Sequence, residues 1–154
     1  MKRELWIIAL SSCLFVACNR GPEPPSFNTS VSVSDLMKGI VDPAADVLWA
    51  SVGTIITEES VEEIYPRDDA EWAVVRNATI TLMESGNLLM VGDRAQSTGP
   101  WMEMAKALID AGEIAKKAAE SKDPEEIFAI GGVVYAACNN CHGTYWVEDP
   151  RQGL

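Results

Sequence analysis

Two cysteines and the only histidine of the chain stand together near its end. Cys138 and Cys141 are separated by two asparagines, and His142 follows directly. This Cys-x-x-Cys-His spacing is the attachment pattern of c-type haem. The two thiols add to the porphyrin vinyl groups as thioethers, and the adjacent imidazole is then positioned to ligate the iron. The motif therefore predicts one covalent haem c, with His142 as the proximal iron ligand.

Two other chemistries use the same residue types. A Cys-x-x-Cys redox disulfide is typical of a βαβ unit at a helix N-terminus, whereas this motif falls near the C-terminal end of the last predicted helix. A zinc site prefers four ligands, and only Cys138, Cys141 and His142 are available as thiol or imidazole ligands. Both alternatives are therefore weaker than covalent haem.

The sixth coordination position of the iron leaves two alternatives open. A second imidazole is excluded because the chain has one histidine. Met37 is predicted on the inner face of the first helix, where it would face the motif if the first and last helices run in opposite directions. As a ligand, its thioether would close the site and raise the redox potential. As a flexible packing residue, it would instead cover an open site, with Leu36, Ile40 and Val41 in the same distal wall.

The start of the chain predicts export. Residues 1–17 combine a basic beginning with an apolar run that is shorter than the roughly 20 residues of a membrane span. Cys18 follows Ala17 and precedes a proline-rich tether over 18–30. The arrangement resembles a bacterial lipoprotein signal, which predicts acylation of Cys18, a membrane anchor and a periplasmic location. Cleavage before Cys13, or a plain secreted protein cut within the tether, are the alternatives.

Helical periodicity accounts for the rest of the chain. Apolar residues recur at spacings of three and four in four segments, which include Met37, Ile40, Ala44, Val47 and Ser51; Trp72, Val75, Thr79, Leu82, Gly86 and Leu89; Trp101, Met104, Leu108, Ala111, Ala115 and Ala118; and Ile127, Ile130, Val134, Ala137 and Cys141. No segment shows sustained alternation of period two. The pattern predicts an all-α fold, an antiparallel four-helix bundle with haem near the C-terminus, in one domain over 31–154.

Residues that start or interrupt helices refine that prediction. The acidic residues Asp68, Asp69 and Glu71 suit the positive end of the helix dipole and predict the start of the second helix. Asp123 followed by proline predicts an N-cap for the fourth. Pro43 predicts a kink or a restart capped by Asp42 in the first. The link over 53–67 has room for a short helical turn.

Aromatic residues and paired glycines are predicted to shape the haem pocket. Core or pocket-wall positions are expected for Trp72, Trp101, Phe128 and Tyr135, and Trp49 is expected in a pocket wall or at a dimer face. Gly131 and Gly132 indicate either close approach by the haem or a neighbouring helix, or a kink.

A four-helix chain that ends in this motif resembles the cytochrome c prime family. The matching residues are Leu36-Met37-Lys38 at the distal position, Gly99-Pro100-Trp101 at the third helix, and Cys141-His142-Gly143-Thr144-Tyr145. The resemblance implies one covalent haem, frequent homodimers, and either Met ligation or a five-coordinate iron that binds NO and CO. Tyr145 and Trp146 would cover the proximal edge.

The chain also departs from the family pattern. Trp146 stands where members often carry arginine, and Val33-Ser34 replaces an arginine near the distal residue. Haem propionate partners must then come from elsewhere, with Lys38 and Arg76 as the candidates.

The net charge and composition of the chain exclude some classes of binding partner. The 154-residue chain has a net charge of −11, so it would repel nucleic-acid phosphates. No set of residues suggests a general acid, a general base or a substrate pocket, and no enzymatic activity is predicted. The expected partners are a periplasmic redox protein or a diatomic gas.

Overall fold

The computed structural model describes residues 26–146, of which 71% are helical. The elements are, in order, α1 (Val33–Leu36), a π-helical turn (Met37–Val41), α2 (Asp42–Ala50), β1 (Gly53–Ile56), β2 (Val61–Ile64), α3 (Asp69–Leu89), a 3₁₀ turn (Gly92–Arg94), α4 (Pro100–Ser121) and α5 (Pro124–Tyr145). The predicted signal segment and Cys18 lie outside the described residues. Over residues 26–146, no helix combines the length and apolar character needed to cross a membrane.

Side-chain caps fix where α3 and α5 begin; the cap by Asp123 confirms the prediction, and α3 begins at its predicted acidic residues. The Asp68 carboxylate accepts a hydrogen bond from the backbone N–H of Glu71 at 2.9 Å, and the Glu71 carboxylate accepts one from Arg67 at 2.6 Å. At α5, Asp123 accepts from the N–H groups of both following glutamates, around Pro124. These bonds satisfy donors that the first helical turn leaves without partners.

The first helical segment, residues 33–50, passes Pro43 without a break. The expected restart capped by Asp42 is wrong, because Asp42 is helical and makes no side-chain cap. Instead, the chain widens into a π turn in which the Asp42 N–H bonds to the Met37 carbonyl. Proline lacks an N–H and crowds the carbonyl four residues earlier, and a wider turn just before it accommodates both effects.

The buried side of this segment agrees with only part of the predicted stripe. Leu36, Ala44, Leu48 and Val52, which the helical spacing placed on or beside the inward face, are buried. Ile40 is only partly buried and Val47 is 36% exposed, so their assignment to the inward face is wrong. The π turn departs from the regular spacing on which that assignment depended.

A β-hairpin occupies the link between the first segment and α3, so the expectation of a helical turn there is wrong, although the described part of the chain is otherwise helical as predicted. β1 and β2 pair antiparallel, with Ile56 opposite Val61, around a turn in which Thr57 N–H donates to the Ser60 carbonyl at 2.9 Å. Apart from the partly buried Gly53, every strand residue is exposed. Because neither face is buried, the sequence carries no period-two alternation to reveal the strands.

The long helices run in opposite directions along one another. Arg76 near the start of α3 bonds to Glu120 near the end of α4 at 2.8 Å, and the Trp101 indole N–H at the start of α4 donates to the Leu89 carbonyl at the end of α3 at 2.7 Å. α4 also packs on α5, and α2 packs on α3. The predicted inward faces of α3, α4 and α5 are buried, with Met104, Ala137 and Cys141 only partly so.

Candidate functional site

A partly open cavity lies at the end of the fold where the first segment begins and α5 ends. Its volume is about 300 Å³, at the lower end of the range for small-molecule and cofactor sites. The lining comes from every helical segment and consists of Met37, Val41, Asp42, Ala45, Trp49, Leu89, Met104, Leu108, Tyr135, Ala137, Cys138, Asn139, Cys141 and His142. Four of the residues proposed from the sequence, namely both cysteines, His142 and Met37, therefore share one cavity.

Helix geometry explains why the motif faces a single space. Cys138 and Cys141 are three residues apart on α5, and His142 is four residues beyond Cys138, so all three side chains share one face of the helix. The thiols and the imidazole are partly buried. The His142 ring meets the Trp146 ring edge-on, with centroids 4.8 Å apart, and the His142 carbonyl accepts the Trp146 N–H at 2.9 Å. Trp146 thus covers one side of the imidazole.

Burial disfavours the thiolate form of both cysteines. Desolvation raises the pKa of Cys138, with further contributions from the Asp42 carboxylate and from Cys141. Burial alone raises the pKa of Cys141. Neither cysteine forms a disulfide. These directions are opposite to the lowered pKa that is typical of redox-active cysteines.

The zinc alternative lacks further ligands in the part of the chain that the structure describes. Among residues 26–146, no three His, Cys, Asp or Glu side chains are grouped closely enough to hold a metal ion. Asp42 reaches the same cavity, but the carboxylate makes no such cluster with the motif.

Three residues proposed for the site lie elsewhere. Leu36 is 4% exposed within the core, and Ile40 packs against the core; neither lines the cavity. Of the three residues expected in the distal wall, Val41 lines the cavity. Tyr145 packs edge-on against Trp101 at 4.9 Å, and its hydroxyl is 3.2 Å from that of Ser97. It fastens the end of α5, which carries the motif, to the start of α4.

The wall opposite the motif contains two methionines rather than one. Met104 lines the cavity together with Met37, although the sequence analysis assigned it only to the inward face of α4. Its position in that apolar stripe is the feature of the sequence that could have placed Met104 in the cavity wall. Leu89 and Leu108 complete an apolar surface that sequence reasoning assigned to the core.

Trp49 forms the boundary between this cavity and a second one. The Trp49 indole N–H donates to the Gly131 carbonyl at 3.1 Å, and its ring meets Tyr135 edge-on at 6.4 Å. Close approach at Gly131 is therefore made by a neighbouring helix, since a Cβ there would lie 3.2 Å from the Trp49 ring, while nothing lies within 4 Å at Gly132. The assignment of Phe128 to the core is wrong, because its side chain is 70% exposed.

The expected propionate partners are not in the cavity wall. Arg76 pairs with Glu120 at the opposite end of α3, so that expectation is wrong. Lys38 is exposed on the π turn and does not line the cavity.

The buried Arg94 connects two parts of the backbone near this end of the fold. It donates hydrogen bonds to the carbonyls of Val31 at 3.1 Å and Leu88 at 3.3 Å. This guanidinium lies at the C-terminal, negative end of α3, and ties the chain before α1 to it.

Comparisons of this chain with protein-family models, with curated proteins and with solved structures return no match.

Proposed function

We propose that this protein is a c-type monohaem cytochrome similar to the cytochrome c prime family, acting in periplasmic electron transfer. The observation that carries the proposal is the convergence of Cys138, Cys141, His142 and Met37 on one largely apolar cavity. The spacing of the motif states which cofactor is attached. The cavity supplies a space bounded by apolar walls beside the two thiols, which suits a porphyrin.

The residues fit covalent attachment. Each of the neutral thiols of Cys138 and Cys141 would add across one vinyl group, so that sulfur bonds to one vinyl carbon and the thiol hydrogen goes to the other. This addition is balanced without an oxidant or a reductant. His142 would donate its ring nitrogen lone pair to the iron, and the Trp146 ring against it restricts its rotation.

The remaining walls control access to the cofactor. When bound, haem iron supplies one-electron chemistry, and the protein sets its potential through axial ligands and burial. Val41, Leu89 and Leu108 exclude water from the side opposite the motif. Trp49 and Tyr135 form an aromatic boundary toward the exposed surface, and both are partly in contact with solvent.

The helical segments support an antiparallel four-helix bundle for this cytochrome. Opposite ends of neighbouring helices meet at Arg76–Glu120 and at Trp101–Leu89. The β-hairpin is an addition to the purely helical architecture that the resemblance implies. We further propose that residues 1–17 direct export and that acylation of Cys18 anchors the protein to a bacterial membrane in the periplasm. The mature protein acts as a carrier rather than as an enzyme.

A second candidate function is the binding or sequestration of NO or CO by a five-coordinate haem. The apolar part of the cavity lining favours it, because Val41, Leu89 and Leu108 offer no ligand to the iron. The two functions differ in whether a methionine occupies the sixth position, and Met37 and Met104 both line the cavity.

Haem attachment is tested by the mass and the spectrum of the protein produced in a bacterial host that matures c-type cytochromes. We expect one haem per chain that survives denaturation and acid–acetone extraction. Replacing both Cys138 and Cys141 with serine should make the haem extractable or absent. A mature polypeptide with the mass of its amino acids alone would refute the proposal.

The iron ligation is tested with two matched variants, Met37→Ala and Met104→Ala. If Met37 is the ligand, Met37→Ala should abolish the sulfur-to-iron charge-transfer band of the ferric protein and allow CO to bind the ferrous form, while Met104→Ala leaves the band in place. A wild-type protein that is high-spin and binds CO readily would favour the gas-binding function instead.

A further inference from the structure

An acidic, aromatic surface runs along α2 and α5 beside the cavity. We call it the α2–α5 face, and it consists of Asp42, Asp46, Trp49, Glu125, Phe128 and Tyr135. On α2, its residues follow spacings of four and three, and on α5 they follow spacings of three and seven. Both spacings place side chains along one side of a helix. Each helix therefore contributes one continuous stripe.

The aromatic side chains of this face are unusually open to solvent. Phe128 is 70% exposed, Tyr135 is 60% exposed and Trp49 is 39% exposed. A second cavity of about 520 Å³ opens between the two stripes, with Trp49, Phe128 and Tyr135 in its wall. Aromatic residues around a concave surface are typical of the centre of a protein interface.

The charge of the face selects the kind of partner. α2 and α5 contain no lysine or arginine, and the exposed carboxylates of Asp42, Asp46 and Glu125 lie beside the aromatic residues. A second copy of the chain would present the same acids and be repelled. A partner whose own apolar contact is surrounded by lysine or arginine would be attracted and oriented.

We propose that the α2–α5 face is the docking surface for a basic protein partner. Docking of a basic partner is argued from the surface alone, whereas electron exchange with that partner rests on the proposed cytochrome function. Trp49 and Tyr135 belong to the walls of both cavities, so a protein seated on the face lies against the aromatic boundary of the candidate haem site.

The test is an NMR titration of the isotope-labelled, haem-loaded protein with a lysine-rich cytochrome c as the probe, at low ionic strength. Asp46→Lys and Phe128→Ser change the face at residues that do not line the first cavity. Glu84→Lys is the matched control, because it makes the same kind of charge reversal on the exposed side of α3. We expect shifts concentrated in α2 and α5, and a dissociation constant raised about three- to tenfold by Asp46→Lys, with less effect at higher salt.

Each outcome decides the inference separately from the cytochrome assignment, since haem content is measured first on the same samples. Weaker binding by Asp46→Lys and by Phe128→Ser, with Glu84→Lys near wild type, supports the docking surface. Equal weakening by Glu84→Lys would mean non-specific attraction and would overturn it, as would no binding by haem-loaded protein. Self-association that Phe128→Ser abolishes would assign the face to a second copy and also overturn it.

Discussion

Gly86 is the position at which one added methyl group tests the packing behind the cavity. A Cβ built there would lie 2.7 Å from the backbone carbonyl oxygen of Ala105 and 2.5 Å from Cγ1 of Ile109. The Ile109 side chain can rotate away, but the backbone oxygen moves only if α3 and α4 separate. Leu89 and Leu108, which line the cavity, belong to these two helices, so the perturbation also reaches the candidate site.

The expected magnitude follows from two opposing effects. Replacing glycine by alanine within a helix gains about 0.5–1 kcal/mol through backbone entropy. Overpacking a tight contact costs about 1–3 kcal/mol. Taking the middle of each range, Gly86→Ala should lower the free energy of unfolding by about 1 kcal/mol. At Gly132, nothing lies within 4 Å of the added Cβ, so Gly132→Ala should raise it by about 0.5–1 kcal/mol.

The assay compares the two variants on the haem-loaded protein by thermal unfolding, followed by far-ultraviolet circular dichroism. A separation of about 2 kcal/mol corresponds to about 6–10 °C in Tm for a domain of this size. Gly86→Ala should also broaden or shift the haem absorption bands, whereas Gly132→Ala should leave them unchanged. A Gly86→Ala protein as stable as wild type, or more stable, would refute the close approach of α3 and α4.

Two further predictions concern the site and the end of the fold that carries it. In the haem-free folded chain, Cys138 and Cys141 should react with iodoacetamide more slowly than in guanidinium chloride, because burial raises the pKa of both thiols and lowers the thiolate fraction. The rate should rise with pH through a midpoint above that of the unfolded chain, as read by peptide mass spectrometry; equal rates and midpoints would contradict thiol burial. Arg94→Met should lower the free energy of unfolding by about 1–3 kcal/mol, because two backbone carbonyls lose their charged donor. Guanidinium denaturation measures this change. An unchanged midpoint with an unchanged slope would contradict the stabilising role of the two Arg94 hydrogen bonds.

Local signals in the sequence were sufficient for much of the helical structure. Asp123 caps the helix that it was predicted to cap, and α3 begins at its predicted acidic start, since both signals depend on residues within one turn. The apolar stripes of α3 and α5 are buried as predicted, because a regular helix converts spacing directly into a face. The motif likewise needs only one helical turn to bring Cys138, Cys141 and His142 together.

Other features depended on contacts that spacing does not encode. The hairpin has no buried face, so its strands leave no periodic pattern, and Phe128 is apolar yet exposed because α5 turns it toward the open groove beside α2. Met104 joins the cavity wall because α4 starts beside the end of α5. Each of these outcomes is set by a neighbour distant in the chain.

The amino-acid sequence by itself determined the Cys-x-x-Cys-His motif, the helix starts and the buried faces of the regular helices, because all of these rest on interactions within a few residues. Only the tertiary structure decided which of the expected distal residues reach the cavity: Met37 and Val41 line it, whereas Leu36 and Ile40 pack in or against the core. Proline at position 43 could be accommodated by a break, a kink or a π turn. The chain adopts a π turn over Met37–Val41, and the width of that turn sets which side chains face the neighbouring helices.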